Sequence, residues 1–538
     1  MISRLRRWFS DPLFLLCLSA GLIAFVVQSG EFGTSDTQHR LQTTHWIWTS
    51  APHVAPGAYP EFGLRGRGGK IWSQYGIGQS LLMLPADIVG TWVSHWPIFS
   101  EYEDDPGVRT IIVSFSTSIL VNVLTALFAF RLLGQLGFSV KEAVAGVLAL
   151  LVCTTHLHYT QNMTENNYIG LLTLVGFAYE MEWLNTGSRR ALWLGTGALG
   201  LNILTRLTAA LDLMAGVFLV LAVLWLGRTS QPLAKDSRNG AAFPAPWKRF
   251  LEYSKVAIPV FAFFGLIERA YHFYRFENWT GTYLPLFAKE ERLQDPTLPA
   301  NFPWSTPFHQ GFFGALFQPE KSIFLFDPLL ILAIVLLVLL WKRLSPEVRA
   351  FGVTALVLLV GYISLYARYT YWAGDFAWGD RYVSTAVEIA AFPAVPLLIH
   401  YRASLSPWVW RAGIVLIAGS LVIQIASLMF WLPLEIYQMD EFGHPTFVIA
   451  LRFKNIAAFA LGKMEAWGLH TDSITYDPWD YVHLTTWNFL PFLLRRVGAA
   501  SKLAVDIAFA AWGVGIAALA LAMNQLRRVC DTAMKELE

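Results

Sequence analysis

Apolar runs of about 17 to 25 residues recur along the whole chain, separated either by short basic turns or by long polar segments. A helix needs about 20 apolar residues to cross a hydrocarbon core of about 30 Å, and only helices or closed barrels satisfy their own backbone groups there. Runs of this length read as helices. Twelve are predicted, at 8–27, 108–133, 139–158, 166–184, 190–204, 207–227, 254–274, 322–341, 350–368, 384–400, 410–434 and 503–525. The fifth and sixth are divided only by Arg206. The expected fold class is an all-α polytopic membrane protein with about 12 transmembrane helices.

Composition agrees. Of 538 residues, 55% are hydrophobic and 14% charged, with a mean hydropathy of +0.45, which is too apolar for a soluble domain of this length. Basic residues set the orientation. Arg4, Arg6 and Arg7 precede the first run, and Arg189, Arg190, the cluster Arg228, Lys235, Arg238, Lys248, Arg249 and Lys255, then Lys342, Arg343, Arg402, Arg527 and Arg528 fall on the same side. Both termini are therefore expected in the cytoplasm, with the first run an uncleaved anchor because no small-residue cleavage site follows it. The partners this implies are membrane lipids. A net charge of +2, with its basic part explained by topology, calls for no nucleic acid. Cys17, Cys153 and Cys530 have neither pairing nor ligand spacing, so no disulfide frame or zinc site is expected.

This topology gives the outer face the segments 28–107, 275–321, 369–383 and 435–502, whereas the inner face receives basic turns and a flexible linker at 228–253. Chemistry belongs outside. In the first outer segment, Thr37 to Thr49 mixes Leu41, Trp46, Ile47 and Trp48 with His39, Arg40 and Gln42 and predicts an interfacial amphipathic helix. Ile71 to Val89 is apolar but broken at Gly76 and Gly78 and bounded by Pro85 and Asp87, which predicts a re-entrant or surface helix. No repeat of 20 to 50 residues is visible, which excludes a solenoid.

Five stretches carry a resemblance: Asp36 at the head of the first outer segment; Trp72-Ser73-Gln74-Tyr75-Gly76-Ile77-Gly78-Gln79-Ser80-Leu81-Leu82 through Pro85 to Gly90; Thr164-Glu165-Asn166; Leu204-Thr205-Arg206-Leu207-Thr208; and Gln318 to Phe324 with Tyr371 to Tyr382. In order and spacing the chain resembles the GT-C superfamily of integral-membrane glycosyltransferases, in the branch of the protein O-mannosyltransferases and the lipid A aminoarabinose transferase. The resemblance covers residues 1–400, a GT-C-like catalytic module that includes outer loop 28–107; residues 401–538 add C-terminal helices with outer loop 435–502. It implies transfer of a sugar from a polyprenyl-phosphate donor to a lipid, glycan or protein acceptor on the outer face, in a bacterial inner membrane. An acid in the first outer loop, here Asp36, would be catalytic. Thr37-Gln38 follows it where many relatives carry Glu-Pro.

Inverting transfer needs a base for the acceptor hydroxyl's proton and cations for the departing phosphate. Asp36 suits the first role, its alternative being a helix N-cap at Thr37 to Thr49. For the phosphate the candidates are Arg381, Lys321 and Arg206. Arg206 could instead pair with Glu165 or Asp212, Arg381 with Asp375 or Asp380, and Lys321 could be an interfacial anchor. Tyr75, Gln79, Glu165, Trp372 and Trp378 complete the expected donor and acceptor pocket. No cofactor is assigned; a divalent metal stays open, since Asp104 and Asp105 could bind one, beside Glu101 and Glu103 in what otherwise reads as a solvated turn. His156 and His158 lack a third ligand, so no metal centre is placed. The competing functions are a carrier or flippase of a lipid-linked saccharide, with polar residues midway through its spans, and a non-catalytic scaffold in which Asp36, Arg206 and Arg381 do not converge.

Overall fold

A computed structural model describes residues 10–55, 57–59, 62–99, 106–163, 165–227, 246–374, 377–431, 433–440, 443–464, 486–497 and 500–535. Arg4, Arg6, Arg7, Glu101, Glu103, Asp104, Asp105, Thr164, Arg228, Lys235, Arg238, Asp375 and part of the segment 435–502 lie outside the described residues.

The elements begin with α1 (Pro12–Val27), α2 (Ser35–Trp48), a hairpin of β1 (Gly63–Arg65) and β2 (Ile71–Ser73), α3 (Gly78–Ser94), α4 (Val108–Gln135), α5 (Val140–Cys153) and α6 (His156–Gln161). Then come α7 (Glu165–Thr186), α8 (Arg189–Asn202), α9 (Ala210–Leu226), α10 (Pro246–Phe276), α11 (Leu284–Gln294), α12 (Phe308–Phe317), α13 (Ile323–Phe326), α14 (Leu329–Leu340) and α15 (Pro346–Tyr366). The chain closes with α16 (Ser384–Ala391), α17 (Ala394–His400), α18 (Pro407–Ser427), α19 (Pro433–Asp440), α20 (Val448–Ala460), α21 (Leu490–Val497) and α22 (Lys502–Lys535). Helix starts follow local chemistry. Asp11, Ser188, Ser345 and Ser406 cap α1, α8, α15 and α18, and Ser139 forms a reciprocal capping box with Glu142 at α5, each side-chain oxygen taking a first-turn amide that the helix leaves unpaired.

The molecule is an all-α protein with membrane-crossing character. Six described helices are long and apolar enough to span a bilayer: Val108–Gln135, Leu207–Leu226, Pro246–Phe276, Pro346–Tyr366, Pro407–Ser427 and Lys502–Thr532. The other predicted runs form helices that are shorter, interrupted or more polar. The run 139–158 breaks at Thr154 and Thr155, 322–341 at Asp327-Pro328, and 384–400 at Phe392-Pro393. Proline lacks the amide that would continue the ladder, which explains the last two. The run 190–204 gives a helix of 14 residues, about 21 Å at 1.5 Å per residue, and 166–184 buries Asn166, Asn167, Thr173 and Glu180.

The segment 28–107 departs from the expected pair of surface helices. α2 spans the expected stretch, but its buried face is Thr37, Arg40, Leu41, Thr43 and Thr44 and packs on α3, so polar contacts inside the protein, not an apolar face in lipid, hold it. The stretch 71–89 divides at Gly76 into β2 and α3, and α3 runs through Pro85 and Asp87 to Ser94 while exposing Leu81, Ile88, Val89 and Trp92.

Within the helical frame, α1 packs against α4 and α22, α4 against α7, α7 against α8 and α9 against α15. Lipid tails are as apolar as leucine, so such contacts depend on close fit more than on escape from solvent. Gly176 of α7 shows this, since a Cβ there would overlap the Leu199 side chain of α8.

Fully buried Asp87 ties this frame to the segment 28–107. Its Oδ2 accepts from Trp48 Nε1 at 2.7 Å and lies 3.2 Å from His45 Nδ1, while Oδ1 accepts from Arg109 Nε at 2.6 Å, joining α2, α3 and α4. Asp87→Ala removes the acceptor of the Trp48 indole N–H and the partner of the half-buried Arg109 guanidinium, and is expected to cost about 2 kcal/mol. Asp87→Asn keeps an acceptor for Trp48 and should cost less. Thermal unfolding in detergent measures both; an unchanged Tm in Asp87→Ala contradicts this role.

Candidate functional site

The site is assembled from segments far apart in sequence. Gly33, at φ +68°, turns the chain so closely against Asn162 that a Cβ would overlap its side chain. Thr34 then caps α2, its Oγ1 accepting from the Thr37 amide at 3.4 Å, so Asp36 is the second helical residue and not the N-cap. Thr37 Oγ1 donates to the Met163 carbonyl and docks this turn beside the start of α7.

The Trp72 to Gly78 stretch follows from a second set of constraints. His53 Nδ1 accepts from the Ser73 amide at 2.9 Å, and Arg275, buried at the end of α10, donates from Nη1 to the carbonyls of Ser73 and, at 2.8 Å, Tyr75. Gly76 and Gly78 lie against the backbone and side chain of Leu204 and Thr205, where any Cβ would overlap, and the Gly78 amide donates to the Leu204 carbonyl at 2.8 Å. The glycines let the loop touch the α8–α9 connection, which carries Arg206.

Asp36 is the centre. Tyr75 donates its hydroxyl to Oδ1 at 2.7 Å, and Arg381 donates Nη1 to Oδ2 at 2.8 Å. The Arg40 guanidinium, one turn along α2, sits 4.1 Å over the Tyr75 ring and places Nη1 3.0 Å from Glu165 Oε2. The other oxygen of Glu165 lies 3.6 Å from Arg206 Nη1, and Arg206 also faces the rings of Tyr366 and Tyr382 at 5.8 and 6.0 Å. Three guanidiniums against two carboxylates leave this cluster with one net positive charge. Burial opposes ionisation of Asp36, but the guanidiniums of Arg381 and Arg40 and the Tyr75 hydroxyl outweigh it and hold the carboxyl below its usual range. Burial, then the adjacent Asp36 carboxylate, pushes Tyr75 well above the ordinary phenol value, so it stays a donor.

Asp36, Arg40, Tyr75, Glu165, Arg206 and Arg381 all line a cavity of about 1120 Å³. Its far wall comes from Glu268, Arg269 and His272 near the end of α10, with Tyr283, Tyr369 and Trp431.

Asp36, Tyr75, Glu165, Arg206 and Arg381 are thus brought together around one space. Four other expected residues lie elsewhere. Lys321 is buried, its Nζ donating to the carbonyls of Ala377 and Gly379 at 2.8 and 3.3 Å, and braces the loop before Arg381 from behind. Gln79 faces a small void beside Tyr159, Thr160 and Asn167. Trp372 packs on Gly314, and Trp378 is fully buried against Phe326, His158 and the Arg452 guanidinium. Of the alternative ion pairs, Arg206 does meet Glu165, whereas Asp212 is held by Tyr362 and Thr173. Asp380 accepts from the Tyr382 amide. Among the described residues, no group of three or more His, Cys, Asp or Glu is placed to hold a metal ion.

Sequence reasoning missed Arg40, although its position four residues after Asp36 on a predicted helix puts both on one face. It also missed His272 and Tyr283, for which no signal in the chain exists. The chain matches no protein-family model and no curated protein, so its function is read from the site's own chemistry.

Proposed function

We propose that this protein is a GT-C-like glycosyltransferase that moves a sugar from a polyprenyl-phosphate donor to an acceptor hydroxyl. One observation carries the reading: an ionised, half-buried carboxylate on the wall of a large cavity, bonded to Arg381, with Arg40 nearby and Arg206 joined to Arg40 through Glu165. In the reaction, Asp36 takes the proton of the acceptor hydroxyl as its oxygen forms a bond to the anomeric carbon. The bond from that carbon to the phosphate oxygen breaks with inversion, and the lipid phosphate leaves with the electron pair.

A carboxylate held as tightly as Asp36 is a weak base. Arg381 resolves this, because a guanidinium drawn from Oδ2 to the donor phosphate frees that oxygen and restores its basicity. Donor binding thereby arms the base. Arg206 and Arg40 supply the remaining positive field on the phosphate, and a cavity above the 300 to 1,000 Å³ of ordinary ligand sites has room for a sugar and an acceptor group together. We place the chain in a bacterial inner membrane with about 12 spans, both termini cytoplasmic and the cavity on the outer face.

The carrier reading is less well supported. Glu180, Asp212, Asp327 and Glu388 are buried within or beside apolar helices but bond to Tyr253, Tyr362, Thr155 and Thr155 respectively and line no part of the cavity. The convergence of Asp36, Arg206 and Arg381 also counts against a passive scaffold.

Asp36→Asn keeps size and hydrogen bonding but cannot take the proton, so donor binding should survive while transfer falls by roughly 10²- to 10⁴-fold. Near-normal transfer ends the catalytic assignment. In the wild type the acid limb of kcat/KM should lie below about pH 4, because the carboxyl titrates beneath its ordinary value. By the same sign, the stability this charge confers is complete above about pH 4 and lost as pH falls through the folded value, and Asp36→Asn should remove that dependence.

Donor affinity should fall about tenfold or more in Arg206→Ala and in Arg381→Ala, and less in Arg381→Lys, which keeps charge but not the planar fork. Titration with a polyprenyl phosphate reads this directly; unchanged affinity in either alanine variant removes that arginine from the phosphate site. For topology, single cysteines at Ser100 and Ser305 in a background lacking the native three should react with an impermeant thiol reagent in intact cells, and one at Ser237 should not. The reverse pattern contradicts the outward-facing site.

A further inference from the structure

Arg381 reaches Asp36 from a loop, and a loop alone does not hold a guanidinium to within 2.8 Å of its partner. The side chain that ties the Arg381 backbone to a long helix is Asn166. It is 1% exposed, in the first turn of α7, and its Nδ2 donates to the Arg381 carbonyl at 2.6 Å and to Ser384 Oγ at 2.5 Å. Ser384 Oγ donates in turn to the same carbonyl at 3.2 Å, and Thr385 Oγ1 donates to the Asn166 carbonyl at 3.3 Å. The amide orientation is settled by chemistry, since the flipped form would set two acceptor oxygens against each other at Arg381. Both hydrogens of the amide are thereby used. The residue before it, Glu165, bridges Arg40 and Arg206.

We infer that Asn166 is a positioning residue, whose amide seats the Arg381 backbone so that its guanidinium meets Asp36. Adjacent residues of one helical turn then align all three arginines, Glu165 through side chains and Asn166 through backbone. The inference rests on the proposed transferase reading for its catalytic consequence, but its structural half stands by itself. If the amide is lost, Arg381 drifts, Asp36 loses its nearest cation, and its carboxyl returns toward ordinary acidity.

The test is a double-mutant cycle of thermal unfolding in detergent with wild type, Asn166→Ala, Asp36→Asn and the double variant. The Asn166 amide bonds to Arg381 and Ser384 and the Asp36 carboxylate to Tyr75 and Arg381, with no bond joining the two side chains, so independent roles would give additive losses of Tm. Positioning through Arg381 predicts that the loss caused by Asn166→Ala is smaller, by roughly a third or more, once Asp36 is already Asn. Additive losses overturn the assignment. Should Asn166→Ala not fold, the isosteric Asn166→Asp, which puts an acceptor against the Arg381 carbonyl, replaces it in the same cycle. Transfer kinetics supply the readout that bulk structure would not move: the acid limb of the Asn166 variant should rise by about 0.5 to 1 pH unit while kcat falls about tenfold. An acid limb unchanged from wild type contradicts positioning. Absence of transfer in the wild type would defeat the functional reading and leave the cycle to decide the role of Asn166.

Discussion

The pinching of the Asp36 carboxylate between Tyr75 and Arg381 is the contact on which the rest of the site depends. An ionised carboxylate out of water is costly unless each oxygen finds a partner. Here the partners come from residues 39 and 345 positions away in sequence, so the segment 28–107 and the loop before α16 must meet. Everything else nearby serves that meeting. Arg275 and the glycines at 76 and 78 seat the Tyr75 loop, Lys321 and Asn166 seat the Arg381 loop, and Thr37 fastens α2 to the start of α7.

The same arrangement sets the chemistry. With Arg381 in place the carboxylate is ionised, ordered and weakly basic, a resting state that does not consume protons or water. In the proposed reaction an anionic donor competes for the guanidinium, so the ligand that is to react is also the one that raises the basicity of Asp36. Arg40 and Arg206, joined through Glu165, match the two carboxylates charge for charge, so the one net positive charge of the cluster is the one Arg381 supplies.

Much of this site was legible in the chain because charge is conspicuous against an apolar background. Asp36, Glu165, Arg206 and Arg381 each stand at the edge of an apolar run, where an ionised group needs a partner or a cavity, and all four line the same space. Tyr75 is reached through the resemblance carried by the Trp72 to Gly90 stretch. Lys321, Gln79, Trp372 and Trp378 have the same local character yet lie behind the cavity wall, since sequence proximity to a loop does not say which way a side chain turns. Helices were legible where apolar runs were unbroken. Runs interrupted by Asp327-Pro328 or Phe392-Pro393 were read as continuous because hydropathy averages over a proline, and the β1–β2 hairpin escaped because its three-residue strands carry too few positions to show alternation.

The most direct measurement is of the bond that breaks. Purified protein in proteoliposomes is incubated with a panel of polyprenyl-phosphate sugars labelled on the sugar, together with lipid, glycan and protein acceptors. A transferase moves label from at least one donor to a water-stable acceptor and releases unlabelled polyprenyl phosphate in equal amount. Label that crosses the bilayer still attached to its lipid phosphate, with no donor in the panel cleaved, would contradict catalysis at Asp36 and make the cavity a carrier's binding site.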